Sequence, residues 1–539
     1  MIRLLVSLLR GIFPMYGKIR EAVDSGVKGV IGERAHAWLK IFSSFWYSAV
    51  LAFIVGGVSK NGTLGFVTML VAFAFILAWK NGWRPWGKPE PEVNEVHVGG
   101  SSFADATALV QHIEDGTGQQ IMLGNVPLPR EMEPLGVAVV GSPGSGKSQL
   151  INGNLPIIRS RGERAFVLDQ GGEAMSGWMK EGDLLLSPID ERAKSWSPFA
   201  EIGSEWDCLG VAKMIVGPDE GKEGFKDYAA QILGGIFEKC MEKGETKNRN
   251  LLYWATQASQ KDLGKLLKGT PASRLFEEGN ERYLGTILGI LGQSLGAFRY
   301  LDPEAGTDSF SLKKWIQDSK QTNWVWVPYR PDQADMLRPL MQCWTEVVSA
   351  ALLSNDTDLG RRIWIVIDEL ASAGHLVQLP QLAALGRKKG VSMIVGFQSI
   401  AQIDKIYGEE SRNILKNCLQ TTVGFAVSDA ATSQFLVDTF GKTKYKRKEV
   451  SDTITHTADG PVQGVSTSWA SVEEDLLLAA DFERLPVRTA FLKLKGMPAT
   501  HIQVGIAKPE EMWPLFIPKR KVAAAAEVQK IEAASQPAA

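Results

Sequence analysis

Beyond about Glu95, short apolar runs bounded by turn residues alternate with longer segments whose apolar positions recur at helical spacing. That alternation predicts an α/β fold, a parallel sheet covered by helices. The strands it predicts are Gly136–Val140, Ala165–Leu168, Trp324–Val327, Ile363–Ile367, Ser392–Gly396 and Thr422–Val427. From about Asp207 to Lys314 no comparable run occurs. Segments such as AAQILGGIFEKCMEK and LGTILGILGQSLGAF carry helical periodicity instead, so this stretch reads as an all-helical insertion.

The N-terminal pattern is different. Ile41–Val58 and Thr63–Trp79 contain no charged residue, and each approaches the roughly 20 residues that cross a bilayer. Ser59–Gly62 leaves room only for a tight turn, so residues 41–80 predict a two-helix transmembrane hairpin. Arg3, Arg10, Lys18, Arg20, Lys28, Arg34 and Lys40 precede it, Lys80, Arg84 and Lys88 follow it, and only Lys60 lies in the turn. The positive-inside rule then places both ends in the cytoplasm, and Trp79, Trp83 and Trp86 suit an interfacial belt. The first residues, MIRLLVSLLRGIF, read either as an amphipathic interfacial segment or as a docked helix; Arg10 and the lack of a small-residue cleavage site argue against a signal peptide.

Composition narrows the partners. With 59 Lys+Arg against 60 Asp+Glu the formal charge is -1, so any contact with nucleic acid must be local. Cys208, Cys240, Cys343 and Cys418 are scattered, which argues against a zinc site or a disulfide framework and for reduced thiols. Among the histidines only His375 lies near candidate chemistry, and a structural role is expected of it.

The strongest chemical signal is Gly141-Ser142-Pro143-Gly144-Ser145-Gly146-Lys147-Ser148, which matches G-x-x-x-x-G-K-[ST] directly after the apolar run GVAVV. Such a loop turns backbone N–H groups toward phosphate oxygens, Lys147 reaches the terminal phosphates, and the Ser148 hydroxyl can ligate magnesium. Gln149 then opens a helix whose positive end faces the same anion. A second run, Ile363–Ile367, ends in Asp368 and Glu369. Asp368 suits the magnesium shell and Glu369 the polarisation of an attacking water. Downstream, Gln398 follows another apolar strand, where it can sense a terminal phosphate. Arg387, in LAALGRKKG, can stabilise transition-state charge in cis or across a subunit boundary, although Arg387-Lys388-Lys389 also reads as a solvated helix end.

Taken together, the apolar hairpin, IMLGNVPLP at 121–129, GSPGSGKS, the SPF after Trp196, IVIDELAS, LGRKKG and GFQSIAQIDKIYG resemble the type IV secretion coupling proteins, the TraD/TraG/TrwB group of conjugation ATPases. The resemblance runs over most of residues 40–500. It implies a RecA-like P-loop NTPase domain with an all-α insertion domain and an N-terminal transmembrane hairpin. It also implies a membrane-anchored hexameric ring that hydrolyses ATP with Mg and couples a relaxase bound to single-stranded DNA to the secretion channel subunits. By position it assigns Lys147 and Ser148 to nucleotide and Mg, Asp368 and Glu369 to hydrolysis, Arg387 to a neighbour's site and Gln398 to phosphate sensing.

The chain is thereby expected to divide into an N-terminal cytoplasmic segment (1–40), the hairpin in the bilayer (41–80), a linker (81–100), the two parts of a nucleotide-binding domain (101–206 and 315–513) around an all-α domain (207–314), and a mobile Ala-rich tail (514–539). A local candidate for DNA is the basic segment Lys442, Lys444, Tyr445, Lys446, Arg447 and Lys448, ahead of the polar stretch SDTITHTADGPVQG. As a loop it can contact phosphates and stack a base; a solvated hairpin tip or a subunit contact fits the same residues. Three other readings of the whole chain stay open at this point: a coupling protein for effector proteins, a chromosome-segregation translocase on duplex DNA, and a docking adaptor that binds nucleotide without pumping.

Overall fold

The computed structural model describes residues 95–519 apart from 114–118, 220–223, 458–459 and 511, together with the isolated positions 67 and 71. The segment 1–40, the apolar hairpin of 41–80, most of the linker and the tail beyond Lys519 lie outside the described residues. Among the described residues no helix is long and apolar enough to cross a membrane. The chain divides after Val96 into two units, and the second, His97–Ala539, carries the fold.

The centre of that unit is a nine-stranded sheet. In chain order the strands are β1 (Val137–Val140), β2 (Arg164–Gln170), β3 (Leu184–Leu185), β4 (Val325–Tyr329), β5 (Ile363–Ile367), β6 (Val391–Phe397) and β7 (Thr421–Gly424). A long hairpin comes next, β8 (Lys442–Thr457) and β9 (Gly460–Asp475), and then β10 (Thr489–Lys493) and β11 (Thr500–Gln503). Across the sheet the order is β11-β10-β7-β1-β6-β5-β2-β4-β3. The run from β7 to β3 is parallel throughout, and β10 and β11 add antiparallel strands at the β7 side.

Parallel strands covered on both faces need apolar side chains at every position, which is why these runs read as unbroken blocks of Val and Ile. Successive residues go to opposite cores: Val137 and Val139 to one face with Val167, Trp364 and Val366, Ala138 and Val140 to the other with Phe166, Ile365 and Ile367. The second core continues without interruption into the helical region, where it takes in Ile232, Leu233, Leu284 and Ile287.

Helix α1 (Lys147–Ser160) leaves the loop after β1. Among the described residues between Pro198 and Gln317 there is no strand; α2 (Glu205–Val216), α3 (Phe225–Lys243) and α4 (Glu281–Ser294) are the longer helices there. A Ser204/Asp207 capping box starts α2, and Gly244 at φ 70° ends α3, each supplying partners for backbone groups a helix end leaves open. The two ends of this region meet at one buried carboxylate: Glu201 accepts from the Trp196 indole at 2.8 Å, the Ser311 hydroxyl at 2.9 Å and the Leu312 and Lys313 amides at 2.8 and 3.0 Å. The sheet is then completed by α5 (Ala334–Ser354), α6 (Ile400–Cys418, broken at Gly408) and α7 (Ala430–Phe440).

Two expectations change here. The basic segment 442–448 is not a loop. It is the first half of β8, and the polar stretch after it forms the outer part of the same hairpin; a strand whose alternating residues are polar and charged carries no apolar alternation to announce it. The first residues of the expected mobile tail are held: the Ile517 and Lys519 amides donate to Asp190 Oδ2 and the Ile189 carbonyl, and Arg192 donates to the Pro514 carbonyl.

Candidate functional site

The parallel order places the C-terminal ends of β1, β5 and β6 side by side, and the loop Gly141–Ser148 fills the space above them. The Gly141 amide donates to the Phe397 carbonyl at the end of β6, and the Ser142 amide to the Ala426 carbonyl beyond β7. Gly144 (φ 76°) and Gly146 (φ 120°) take conformations that L side chains resist, so the loop can curl tightly. Pro143 and Gly144 are exposed at its crest, while Ser145 and Lys147 are buried. The Lys147 ammonium donates to the Gly141 and Ser142 carbonyls. Burial lowers its pKa despite the nearby carboxylates of Glu369 and Asp368.

The Ser148 hydroxyl donates to Asp368 Oδ1 at 3.1 Å, so these two residues share one point at the start of α1 and the end of β5. Desolvation raises the pKa of Asp368 against the pull of Ser148 and Lys147. Glu369 is 4% exposed, and burial pushes its carboxyl up to about 7. Neither of its oxygens is closed by a hydrogen bond of good geometry; Lys147, the Ala371 amide and the Gln398 side chain lie close enough to lower its pKa without satisfying it. A buried carboxylate left open in this way costs free energy unless something fills the gap. Close approach of β6 to this point depends on Gly396, where a Cβ would sit 2.2 Å from the Asp368 carbonyl oxygen.

Lys147, Ser148, Asp368, Glu369 and Gln398 therefore converge. Gln149 joins in another manner, since its side-chain oxygen accepts from the Ala507 amide at 2.9 Å and pins the chain beyond β11 to the first turn of α1. Arg387 is not brought together with them. It lies exposed in the turn Gly386–Lys389 before β6, at the N-terminal end of that strand, and seven residues of strand at about 3.3 Å each put it roughly 20 Å away.

Three residues at the site carry no local sequence signal strong enough to single them out. Asp169, the last residue but one of β2, lies near Asp368, accepts the Met175 amide at 2.7 Å, and is pushed up to about 7 by complete burial. The apolar run before it, ending in an acid, is the one available hint. Tyr329, paired with Gln170, is buried near the same carboxylates. Arg488 comes from the turn before β10 and packs on Gly146. Ser148, Asp169, Glu173 and Asp368 also line a cavity of about 20 Å³, room for one water.

As to a metal, among the described residues no cluster of three or more His, Cys, Asp or Glu stands ready by itself. The donor set that exists, the Ser148 hydroxyl and the Asp368 carboxylate at a glycine-bent loop, fits a magnesium ion that keeps waters and shares phosphate oxygens. The open oxygens of Glu369 fit a water beside it. His375 makes an edge contact with Tyr407 at 5.1 Å, and all four cysteines are free thiols.

The basic residues of β8 behave otherwise. Lys444 pairs with Glu473 at 2.9 Å, and Arg447 reaches Glu474 at 3.8 Å while donating to the Tyr445 hydroxyl at 2.8 Å and lying 5.2 Å over its ring. Lys442 faces Asp475, Lys446 faces Ser471 and Lys448 faces Trp469 across the ladder.

Residues 120–505, more than half of the chain, match the family described as type IV secretion-system coupling protein DNA-binding domain. Coupling protein TraD of Escherichia coli (strain K12) is 25% identical over 489 residues, 89% of this chain and 65% of that protein, so the chain spans just under two thirds of that relative's length. In three dimensions the chain is similar to the unbound monoclinic form of the bacterial conjugative coupling protein TrwBdeltaN70, at 27% identity and TM-score 0.71, covering 78% of this chain and 97% of that one. It is similar as well to the plasmid coupling protein TrwB in complex with ADP and Mg2+, at 27% identity and TM-score 0.69, with the same coverage. Together with the parallel core of the sheet, that likeness makes the fold RecA-like α/β.

Proposed function

The chain belongs to the type IV secretion-system coupling proteins, and on that premise we propose that it is an ATPase that couples a relaxase-bound single DNA strand to a type IV secretion channel. In this reading it works as a homo-oligomeric ring, a hexamer, anchored in the inner membrane by the apolar hairpin of residues 41–80. The observation that carries the reading is the convergence of Lys147, the Ser148–Asp368 pair, the open carboxylate of Glu369 and Gln398 around one glycine-bent loop.

Each residue then has a distinct task. The loop amides and Lys147 hold the phosphate chain, and Ser148 with Asp368 would hold magnesium, which when bound neutralises charge on the phosphate oxygens. Glu369, desolvated and close to neutral pH in its proton affinity, orients a water and accepts its proton. Gln398 bridges Glu369 and the terminal phosphate position, so that β6 registers whether that phosphate is present. Arg387 cannot reach the loop of its own chain; in the ring it completes a neighbour's site, which makes turnover depend on assembly. The relative solved with ADP and Mg2+ supports the nucleotide and metal, and the match to a coupling-protein DNA-binding domain supports DNA as cargo.

The test is ATP turnover and conjugative transfer with Lys147→Ala and Arg387→Ala proteins. Both are expected to stay membrane-bound and to lose turnover, and mixing the two inactive proteins should restore part of it, because each mixed interface can combine an intact loop with an intact arginine. Native turnover by the Lys147→Ala protein would overturn the site; no recovery on mixing would overturn the role of Arg387 across the interface.

A further inference from the structure

Among the described residues Arg488 is the one non-glycine residue with a positive φ, 64°. It is the third residue of the turn Pro486–Thr489, closed by the Thr489 amide donating to the Pro486 carbonyl at 3.1 Å, a position where such a φ ordinarily calls for Gly or Asn. An arginine there carries strain, and strain of this sort persists where its surroundings fix it. The surroundings are visible. The Arg488 amide donates to the Ser145 carbonyl in the phosphate loop at 2.8 Å, and its own carbonyl accepts the Val504 amide at 2.8 Å just past β11.

The side chain is aimed at the loop as well. A Cβ added to Gly146 would lie 3.0 Å from the Arg488 Cα and 3.2 Å from its Cγ, so the arginine's stem rests on the residue just before Lys147. From that Cγ the guanidinium stands about 3–4 Å further out, within reach of whatever the loop holds. Among the described residues no hydrogen bond or ion pair occupies that guanidinium. The arginine comes from the β10 side of the loop, whereas Asp368, Glu369 and Gln398 approach from the β5–β6 side.

We infer that Arg488 is a nucleotide-binding residue of its own chain, its guanidinium contacting the phosphate chain of a bound nucleoside di- or triphosphate at the inner phosphates. This rests on the proposed nucleotide site and adds a residue to it. Because the contact comes from the side away from Glu369 and Gln398, it is made to the diphosphate as well as to the triphosphate, and so differs from phosphate sensing by Gln398.

The strain supplies the control. Arg488→Gly removes the side chain and relaxes the backbone, whereas Arg488→Ala removes the side chain and keeps the strain. Fluorescent ADP and a non-hydrolysable ATP analogue, titrated against the full-length protein, are expected to bind about tenfold more weakly to both variants, and by the same factor for each nucleotide. Arg488→Lys should recover part of the loss. In the absence of nucleotide the glycine variant is expected to melt no lower than the native protein. If the glycine and alanine variants bind both nucleotides within twofold of the native protein, the arginine has only a structural part and the inference fails. Lys147→Ala measured alongside separates the failures: if it too binds ADP as well as the native protein, the nucleotide site itself is misplaced, and if it alone loses binding, only the assignment of Arg488 is wrong.

Discussion

At the phosphate loop a buried carboxylate is left with unmet hydrogen-bonding capacity, whereas Lys444 and Arg447 on the β8–β9 hairpin are exposed and already partnered. Glu369 sits 4% exposed with both oxygens open, beside an ammonium whose pKa burial has lowered. Lys444 and Arg447 stand in water opposite Glu473 and Glu474, and Arg447 also covers a face of Tyr445. In the sequence the hairpin is the more conspicuously charged of the two. What marks a ligand site is desolvated charge that the fold does not satisfy, because only there does a ligand recover a cost already incurred in folding.

The comparison is most sharply tested by removing the buried groups. Asp368→Ala should lower ATP turnover by about 10²–10³-fold, the scale expected when a group that stabilises transition-state charge is lost; turnover within fivefold of native in a phosphate-release assay would place the metal elsewhere. Glu369→Gln should bind ATP and lose turnover by about 10²-fold or more, since the amide cannot accept a proton.

The same residue predicts a pH effect. The folded-state pKa of Glu369 is raised from 4.5 to about 7, so the folded protein binds the proton more tightly than the unfolded chain. The penalty is absent below about pH 4.5, grows through the interval, and is fully present above pH 7, where it amounts to roughly 3 kcal/mol. Melting of the nucleotide-free protein should therefore fall more steeply from pH 5 to pH 8 in the native protein than in Glu369→Gln. Glu346, also pushed up to about 7 by burial within α5, contributes the same slope to both and cancels from the difference. Equal slopes would mean that Glu369 is solvated.

Smallest are the changes expected on the hairpin. Replacing Lys442, Lys444, Lys446 and Lys448 together by alanine should leave the melting temperature and nucleotide affinity unchanged, and DNA affinity within about threefold. A loss of salt dependence of about one power per lysine would instead show the hairpin gripping phosphates, and the contrast between the two regions would have to be given up.

Much of the site is legible in the sequence because its parts are local. A glycine loop between an apolar strand and a helix, and a second apolar strand ending in Asp368-Glu369, occupy a few consecutive residues each, and backbone stereochemistry binds such patterns to one geometry. The β8–β9 hairpin is not legible in the same way, because the residues that alternate in KTKYKRK are polar and charged, with lysine at every second position, and no apolar period of two announces a strand. Asp169 is hidden for a related reason: its strand reads as apolar up to Leu168, and only the adjacency of β2 and β5 sets the next residue beside Asp368.

By itself the sequence determined the alternation of strand and helix, the phosphate loop, the acidic strand end and the helical character of the stretch from about Asp207 to Lys314. These come from side-chain period and backbone preference over short spans. Only the tertiary structure decided that Gln398 faces Glu369, that Arg387 lies at the opposite end of β6 from the loop, and that Arg488, some 340 residues beyond the loop in the chain, rests on Gly146. Strand order is set by which faces can be buried together, a balance struck over the whole core, and no short stretch of residues encodes it.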